Sequence, residues 1–210
     1  MPRVGLRRDV VVALALEVLD DGGELTLAAV AARAGVAVPS LYKHVEGLAD
    51  LRRAVAVVCL DELTATLTAA LGGAGRLPAD RVRALATATR DLALRSPGRY
   101  TAVQGSAWAK DPDATGVQAA ARAPVRVIVE ALAGLDLPPE RAVDAVRAFR
   151  ATVHGFVVLE LDGGFGLPDD VTTSFEQAVD ALVAGLAATS ATAGRRLAGP
   201  PQRARKPSRS

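Results

Sequence analysis

The sequence predicts an all-α protein in which a small N-terminal domain of three helices precedes a larger helical bundle. Apolar residues recur with the 3.6-residue period of an amphipathic helix along most of the 210 residues, and no segment shows a convincing strand period. Half of the residues are apolar but only 3% are aromatic. The apolar content is therefore mainly Ala, Val and Leu, which suits closely packed helices.

Glycine and a hydroxyl cap separate the first three helices. The apolar stripe of the first helix consists of Val11, Leu14, Ala15, Val18 and Leu19. Residues 21–23 end that helix, and Thr26 then offers a hydroxyl N-cap to a second helix over 27–34. Gly35 follows as a C′ glycine that lets the chain turn, and a third short helix is predicted over 38–44.

Longer helices follow as far as the C-terminal region. They are predicted over 48–71, 79–95, 113–134, 139–162 and 170–189, with a weakly helical stretch over 100–109. A break or bend is expected near Pro124, and 163–166 is a glycine-rich loop.

The charge is distributed unevenly along the chain. Residues 1–53 carry seven basic and seven acidic groups, residues 54–194 carry twelve and sixteen, and residues 195–210 carry six basic groups and no acid. The net charge of +2 therefore comes from the C-terminal tail. We predict three regions: a domain of three short helices over 1–47, a helical domain over 48–193 and a disordered basic tail over 194–210.

The scarcity of cysteine and histidine disfavours several kinds of site. Cys59 is the only cysteine, so no disulfide framework can form within the chain, and buried packing is its expected role. His44 and His154 are the only histidines, which leaves few candidates for a metal site or a nucleophile–base pair. We therefore expect no metal, no cofactor and no enzymatic activity. No run of about 18 apolar residues was found, so we expect a cytoplasmic protein that does not span a membrane.

The most informative segment is 26–45. Two short helices joined by a turn at Gly35 form a helix-turn-helix. The third helix is short enough to enter a major groove about 12 Å wide. Its outer face carries Pro39, Ser40, Tyr42, Lys43 and His44.

Residues 6–55 resemble the N-terminal domain of the TetR/AcrR family of transcriptional regulators. The most specific part is A-x-x-A-G-V-A-V-P-S-L-Y-K-H-V, followed by Leu-Ala-Asp-Leu at 48–51. Val45 stands where the family usually has Phe. Ala37 and Arg7 replace the usual caps of the third and first helices, and each lost cap costs about 1 kcal/mol.

The resemblance implies a set of DNA contacts. Thr26 would hold a phosphate at the start of its helix, in addition to its role as a helix cap. Tyr42 and Lys43 would contact phosphates or base edges, His44 a phosphate, and Pro39 and Ser40 would lie nearest the bases. Arg7 and Arg8 would clamp the neighbouring backbone. Packing of Tyr42 on the domain surface and simple solvation of the charged groups are the alternatives.

The rest of the chain resembles the family's ligand-binding and dimerisation domain. The more specific stretch is 149–156, which ends in His-Gly-Phe and resembles one subgroup of the family. Arg147, Arg150 and His154 lie at i, i+3 and i+7, so they share one side of a helix. That side would line a polar ligand cavity, lie in a dimer seam or face solvent. Tyr100, Trp108 and Phe156 are the large side chains that would shape a cavity.

The last two helices each carry a broad apolar face, which in a monomer would leave an exposed patch. The resemblance implies a homodimer in which they form a four-helix bundle about a two-fold axis. The residues predicted at this interface are Val153, Phe156, Phe175, Val179, Leu182 and Leu186. Two recognition helices about 34 Å apart would then read a near-palindromic operator.

The resemblance implies a transcriptional regulator, most often a repressor, whose affinity for double-stranded DNA is controlled by a small-molecule effector. The helix over 48–71 would link the effector site to the DNA-binding domain. The alternatives are an architectural DNA-binding protein without ligand control, to which the basic tail would add affinity, and an all-helical enzyme.

Overall fold

The computed structural model describes residues 6–104 and 107–197, and for 107, 109 and 190–197 it describes the backbone alone. All regular elements in these ranges are helical, which confirms the predicted fold class. The α-helices are α1 Arg8–Asp20, α2 Leu27–Ala34, α3 Leu48–Gly73, α4 Pro78–Arg95, α5 Pro97–Val103, α6 Ala107–Lys110, α7 Thr115–Ala120, α8 Arg122–Ala133, α9 Ala142–Leu161 and α10 Val171–Leu197. Two 3-10 helices accompany them: Val38–Lys43, here called the recognition helix, and Pro139–Arg141.

The N-terminal domain packs α1, α2 and the recognition helix around one apolar core. Val11 of α1, Val30 of α2 and Leu41 of the recognition helix are completely buried in it. Leu51, in the first turn of α3, is also completely buried there. The long helix α3 therefore completes the core of the helix-turn-helix domain before it continues into the second domain.

Local sequence signals set the turn of the helix-turn-helix as predicted. The Thr26 hydroxyl oxygen accepts a hydrogen bond of 3.1 Å from the Ala29 amide, which satisfies one free donor at the start of α2. Gly35 ends α2 in the left-handed conformation with φ 66°, where a residue with a side chain would be strained. Arg7 and Ala37 occupy N-cap positions without a side-chain cap, also as predicted.

The recognition helix differs from the expected element in its winding. It is a 3-10 helix that ends at Lys43, one residue before the predicted end. The Ser40 amide donates to the Ala37 carbonyl at 2.9 Å, and the His44 amide donates to the Leu41 carbonyl at 2.8 Å. This helix lacks a side-chain cap, and 3-10 winding is confined to short pieces of chain such as this one.

The second domain is built from the C-terminal half of α3 together with α4, α5, α8, α9 and α10. Its core includes Leu67, Leu85 and Phe149, which are all buried. Within this layer Arg90 donates hydrogen bonds of 2.7 and 2.6 Å to both oxygens of Glu160. This largely buried ion pair joins α4 to α9.

Two predicted boundaries lie a few residues away from their expected positions. The break expected near Pro124 occurs at Ala121, between α7 and α8, and Pro124 lies in the first turn of α8. Proline is tolerated there because first-turn amides have no partner within their own helix. The tail was predicted to begin at residue 194, but α10 continues to Leu197. The rest of the predicted tail, 198–210, lies outside the described residues.

Helix α3 is 26 residues long and has an 18-residue window of mean hydropathy 1.7, so by length and composition alone it is able to cross a membrane. Asp61 and Glu62 interrupt its apolar run, so the criterion of about 18 consecutive apolar residues does not select it. Leu51, Val55, Cys59 and Leu67 of α3 are buried in the two main cores. Packing accounts for part of the apolar character of this helix, since 28% of the 18-residue window is buried.

Candidate DNA-binding surface and ligand cavity

The recognition helix projects from the N-terminal domain with one side chain anchored. Leu41 is fully buried, whereas Tyr42 is 56% exposed and Pro39 and Lys43 are also exposed. Ser40 and the C-cap residue His44 are half-buried. The anchor at Leu41 therefore leaves an aromatic hydroxyl and an ammonium group free to meet a groove. The domain surface therefore covers less than half of Tyr42.

Thr26 lies at the start of α2, where its hydroxyl oxygen is occupied by the cap. A hydroxyl group that accepts one hydrogen bond still has a proton to donate. The cap and the predicted phosphate contact are therefore compatible.

The two predicted N-terminal arginines differ in their surroundings. Arg7 pairs with Asp9 on the surface. Arg8 donates two hydrogen bonds of 2.7 Å to Asp50, and one of 3.1 Å to the carbonyl of His44. Arg8 thus joins α1 to the end of the recognition helix and to the start of α3, which gives it a structural role that the sequence did not predict.

Asp50 is the counterpart of this contact. Its carboxylate also accepts a hydrogen bond of 3.1 Å from the Glu46 amide. Hydrogen bonding from Arg8 holds the pKa of Asp50 below its usual range. The resemblance includes Asp50 in the Leu-Ala-Asp-Leu motif, and this motif was the available signal for its role.

A cavity of about 500 Å³ lies in the second domain, between α3, α4, α5, α7, α8 and α9. Apolar side chains form most of its wall, among them Leu60, Leu63, Ile128 and Phe149. The polar side chains at the cavity are Thr89, Tyr100, Gln104, Gln118, Arg122, Arg126, Arg150 and His154. A predominantly apolar cavity with a few polar groups is the usual form of a small-molecule site.

Three of the five residues predicted to contact a ligand line this cavity: Tyr100, Arg150 and His154. The Tyr100 hydroxyl shares a hydrogen bond of 3.1 Å with Nδ1 of His154. Burial raises the pKa of Tyr100 to about 12. Burial, and then the charge of Arg150, lower the pKa of His154. Both members of the pair are therefore neutral near pH 7.

Arg147 and Trp108, the other two residues predicted to contact a ligand, do not line this cavity. Arg147 lies two turns before His154, about 10 Å along the axis of α9. Its side chain is 77% exposed beside Asp144. Trp108 packs instead against the small core around Ala56 and Leu60.

Part of the cavity wall was not predicted from the sequence. Arg122 and Arg126 of α8, with Gln104 and Gln118, line the cavity. Their orientation depends on how α7 and α8 pack against α3. No short-range spacing in the sequence indicated it.

Three of the predicted dimer contacts are also corrected. Val153, Phe175 and Val179 are 1–2% exposed and belong to the core of their own protomer. Phe156, Leu182 and Leu186 are half-buried and pack against that core. The inward stripes of α9 and α10 are thus used within the protomer.

The outward faces of α9 and α10 carry different residues. Val143 and Leu159 of α9 are 57% and 51% exposed. Ala151 and Gly155 are exposed between them on α9, as is Arg147, and Ala181, Ala184 and Gly185 are exposed on α10. Faces of this composition allow the backbones of two helices to approach closely.

An ion-pair cluster joins the two domains beside the cavity. Arg99, at the start of α5, donates two hydrogen bonds of 2.6 Å to Asp20 at the end of α1, and one of 3.0 Å to Glu62 of α3. These carboxylates raise the pKa of Arg99, and Arg99 lowers the pKa of Asp20. The next residue in α5 is Tyr100, which lines the cavity. The sequence did not predict this connection.

The fold and these two sites define a helix-turn-helix protein with a helical C-terminal domain. A family model described as "Tetracyclin repressor-like, C-terminal domain" matches residues 82–182. The chain is 38% identical to the uncharacterized HTH-type transcriptional regulator Rv0681 of Mycobacterium tuberculosis, over 86% of this chain and 82% of that protein. The chain belongs to the TetR family of transcriptional regulators, which confirms the resemblance found in residues 6–55.

Solved structures agree with this family. A Rhodococcus protein of unknown function superposes with a TM-score of 0.72 at 30% identity, over 87% of this chain and 96% of that one. A TetR variant of Acinetobacter baumannii in complex with minocycline superposes with a TM-score of 0.61 at 25% identity, over 86% and 96%. Proteins of this family act as regulators rather than enzymes, which argues against the enzymatic alternative.

Proposed function

We propose that the chain is a homodimeric, sequence-specific repressor in the cytoplasm whose operator affinity is lowered by a small molecule bound in the cavity. The observation that carries the proposal is the succession of Arg99 and Tyr100 in α5. One side chain is hydrogen-bonded to the end of α1 in the DNA-binding domain, and the other lines the cavity. A ligand that displaces α5 would therefore move α1.

The exposed recognition helix supports DNA binding. Tyr42 and Lys43 extend from a helix held at Leu41, and His44 and Thr26 lie at helix ends. We assign Pro39 and Ser40 to the base edges, Tyr42 and Lys43 to phosphates or base edges, and His44 and Thr26 to phosphates. Phosphate contacts position the protein rather than select sequence. Arg7 is exposed and contributes to the same phosphate surface.

Arg8 has a mixed assignment. Its guanidinium is about half exposed while it bonds to Asp50 and to the His44 carbonyl. We propose that it holds the recognition helix in position and presents its remaining surface to the DNA backbone.

The outward faces of α9 and α10 support a homodimer. They present exposed apolar and small residues, and pairing them with a second copy would form a four-helix bundle about a two-fold axis. We assign Phe156, Leu182 and Leu186, which are half-buried in the protomer, to the edge of this interface. The operator would then be a near-palindrome with half-sites about 34 Å apart.

The cavity supports effector control. The Acinetobacter baumannii TetR variant, which shares this fold, was solved with minocycline bound. An effector changes DNA affinity only if it binds the operator-competent and released conformations with different affinities. We expect it to weaken operator binding about 5- to 150-fold, the usual range of allosteric coupling.

Operator binding tests the proposal. DNA from beside the protein's own gene is titrated at two salt concentrations against excess random competitor, with the full chain and with a chain lacking 195–210. We expect selective, saturable binding that survives removal of the tail. Equal binding to all DNA that is lost with the tail would instead favour the architectural alternative, because that binding would be purely electrostatic.

A further inference from the structure

The chemistry of the cavity wall restricts the ligand. Its interior is formed largely by aliphatic and aromatic side chains, including Leu63, Leu67, Ile128 and Phe149. These side chains favour an apolar ligand, because removing apolar surface from water contributes favourably to the free energy of binding. At least one part of the ligand is therefore apolar.

The charged groups at the cavity are all of one sign. Arg122 and Arg126 come from α8 and Arg150 comes from α9, and all three are exposed at its rim. No Asp or Glu is found among the described residues that line it. The rim is therefore an electropositive border around an apolar interior.

These arginines lack the carboxylate partners that several others in the same domain have. Arg81, Arg83 and Arg90 are each paired with a carboxylate. Within the described part of the chain, none of the three rim arginines has a carboxylate partner. Their donors are thus available to an external anion.

The Tyr100–His154 pair adds neutral hydrogen-bonding groups beside Arg150. Arg150 and His154 lie four residues apart on α9, so their side chains are neighbours on the face of the helix that lines the cavity. Arg150 is therefore the rim cation that an acid group bound near this pair would meet first.

We propose that the effector is an apolar carboxylic acid, bound with its hydrocarbon body among the leucines and its carboxylate at Arg150, with Arg122 and Arg126 completing the anionic subsite. This assignment rests on the proposed effector site and adds the class of molecule that fills it. A cationic amphiphile is disfavoured, since it would place its charge beside three arginines. A neutral amphiphile would make no charge-assisted contact with the three guanidinium groups.

The test compares ligands of one chain length with different head groups. Dodecanoate, dodecanol and dodecyltrimethylammonium are titrated below micelle formation into the purified full chain by calorimetry. We expect dodecanoate to bind about tenfold more tightly than dodecanol, because a charge-assisted hydrogen bond is the added interaction. The ammonium compound should bind most weakly of the three.

Arg150→Gln identifies the subsite. It should weaken dodecanoate binding about tenfold and leave dodecanol binding nearly unchanged, since only the charge-assisted contact is removed. The matched control is Arg147→Gln, one turn away on α9 and outside the cavity, which should change neither. Both arginines are exposed, so both variants should unfold at the wild-type temperature.

Several outcomes would overturn the inference. They are equal affinity for the acid and the alcohol, tightest binding of the ammonium compound, an equal loss in both variants, and no binding of any probe. Operator binding is measured separately on the same preparations. Selective operator binding without dodecanoate binding would refute the ligand class alone. Dodecanoate binding that depends on Arg150, without selective DNA binding, would refute the proposed regulator and leave the ligand class standing.

Discussion

Arg99 and Asp20 form a bidentate ion pair between the two domains, with both hydrogen bonds at 2.6 Å. Asp20 is the last residue of α1, and Arg99 lies in α5, next to Tyr100 of the cavity wall. Glu62 of α3 accepts a third hydrogen bond from the same guanidinium group. Two consecutive residues of α5, Arg99 and Tyr100, thus connect the helix-turn-helix domain to the cavity wall.

Arg99→Gln is expected to reduce communication between the two sites. Without the ion pair, a displacement of α5 is no longer transmitted to α1, so the effector should weaken operator binding less than in the wild type. The loss of stability should be about 1 kcal/mol, because the pair is partly exposed. Operator titrations with and without effector measure the coupling. Arg95→Gln, exposed at the end of α4, is the control and should retain it.

Lys43→Ala is expected to reduce the slope of log affinity against log salt concentration by about one, because one phosphate contact is lost. Tyr42→Phe should weaken operator binding modestly, since only the hydroxyl contact is removed. Both effects are measured by DNA titration at several salt concentrations. Arg76→Ala, at an exposed cation between α3 and α4, should leave the slope unchanged. An unchanged slope for Lys43→Ala would remove this residue from the phosphate contacts.

Gly155→Arg tests the outward face of α9. A Cβ atom at Gly155 would meet no neighbouring atom within 4 Å beyond its own helix backbone, and Gly155 is exposed, so the variant should fold. We expect it to dissociate the dimer and to weaken operator binding strongly, because two recognition helices no longer act together. Gly116→Arg on α7 has equally free space and is the matched control. Sedimentation measures the oligomeric state, and a Gly155→Arg variant that stays dimeric would place the interface elsewhere.

Acid should weaken the N-terminal domain through Asp50. Its pKa in the folded protein lies below the ordinary value of about 3.9, because Arg8 bonds to the carboxylate. The pair therefore stabilises the fold fully above that ordinary pKa, and its contribution is lost as pH falls through the lower folded pKa. Asp50→Asn should be less stable than the wild type at neutral pH and should show a shallower loss in acid. Denaturant titrations between pH 2 and 6 measure the loss of stability. Asp61→Asn, on the exposed side of α3, is the control. If the stabilities of the wild type and Asp50→Asn fall in parallel with pH, the role of Asp50 is contradicted.

Much of the helix-turn-helix could be predicted because its signals are local. Thr26 caps the helix that follows it, and Gly35 adopts the left-handed conformation that a C′ glycine favours. Leu41 is buried and Tyr42 is exposed, because consecutive residues of a helix point in different directions. Such features depend on residues within one or two turns, so a single sequence contains them.

The cavity was predictable only in part. The spacing of Arg150 and His154 placed them on one side of α9, but it also selected Arg147, because the sequence does not show where a cavity ends along a helix. The apolar stripes on α9 and α10 likewise do not show whether they pack against their own protomer or against a second copy. Val153 and Phe175 fill the protomer's own core, where a dimer interface was expected.

By itself, the sequence determined the all-α class, the helix-turn-helix with its turn at Gly35, and the family. These depend on periodicity, capping and a local motif. Only the tertiary structure decided that Arg122 and Arg126 share a cavity with Arg150, and that Arg99 meets Asp20, 79 residues away in the chain. Contacts of that kind follow from the packing of whole helices, whose mutual rotation is set by many side chains at once.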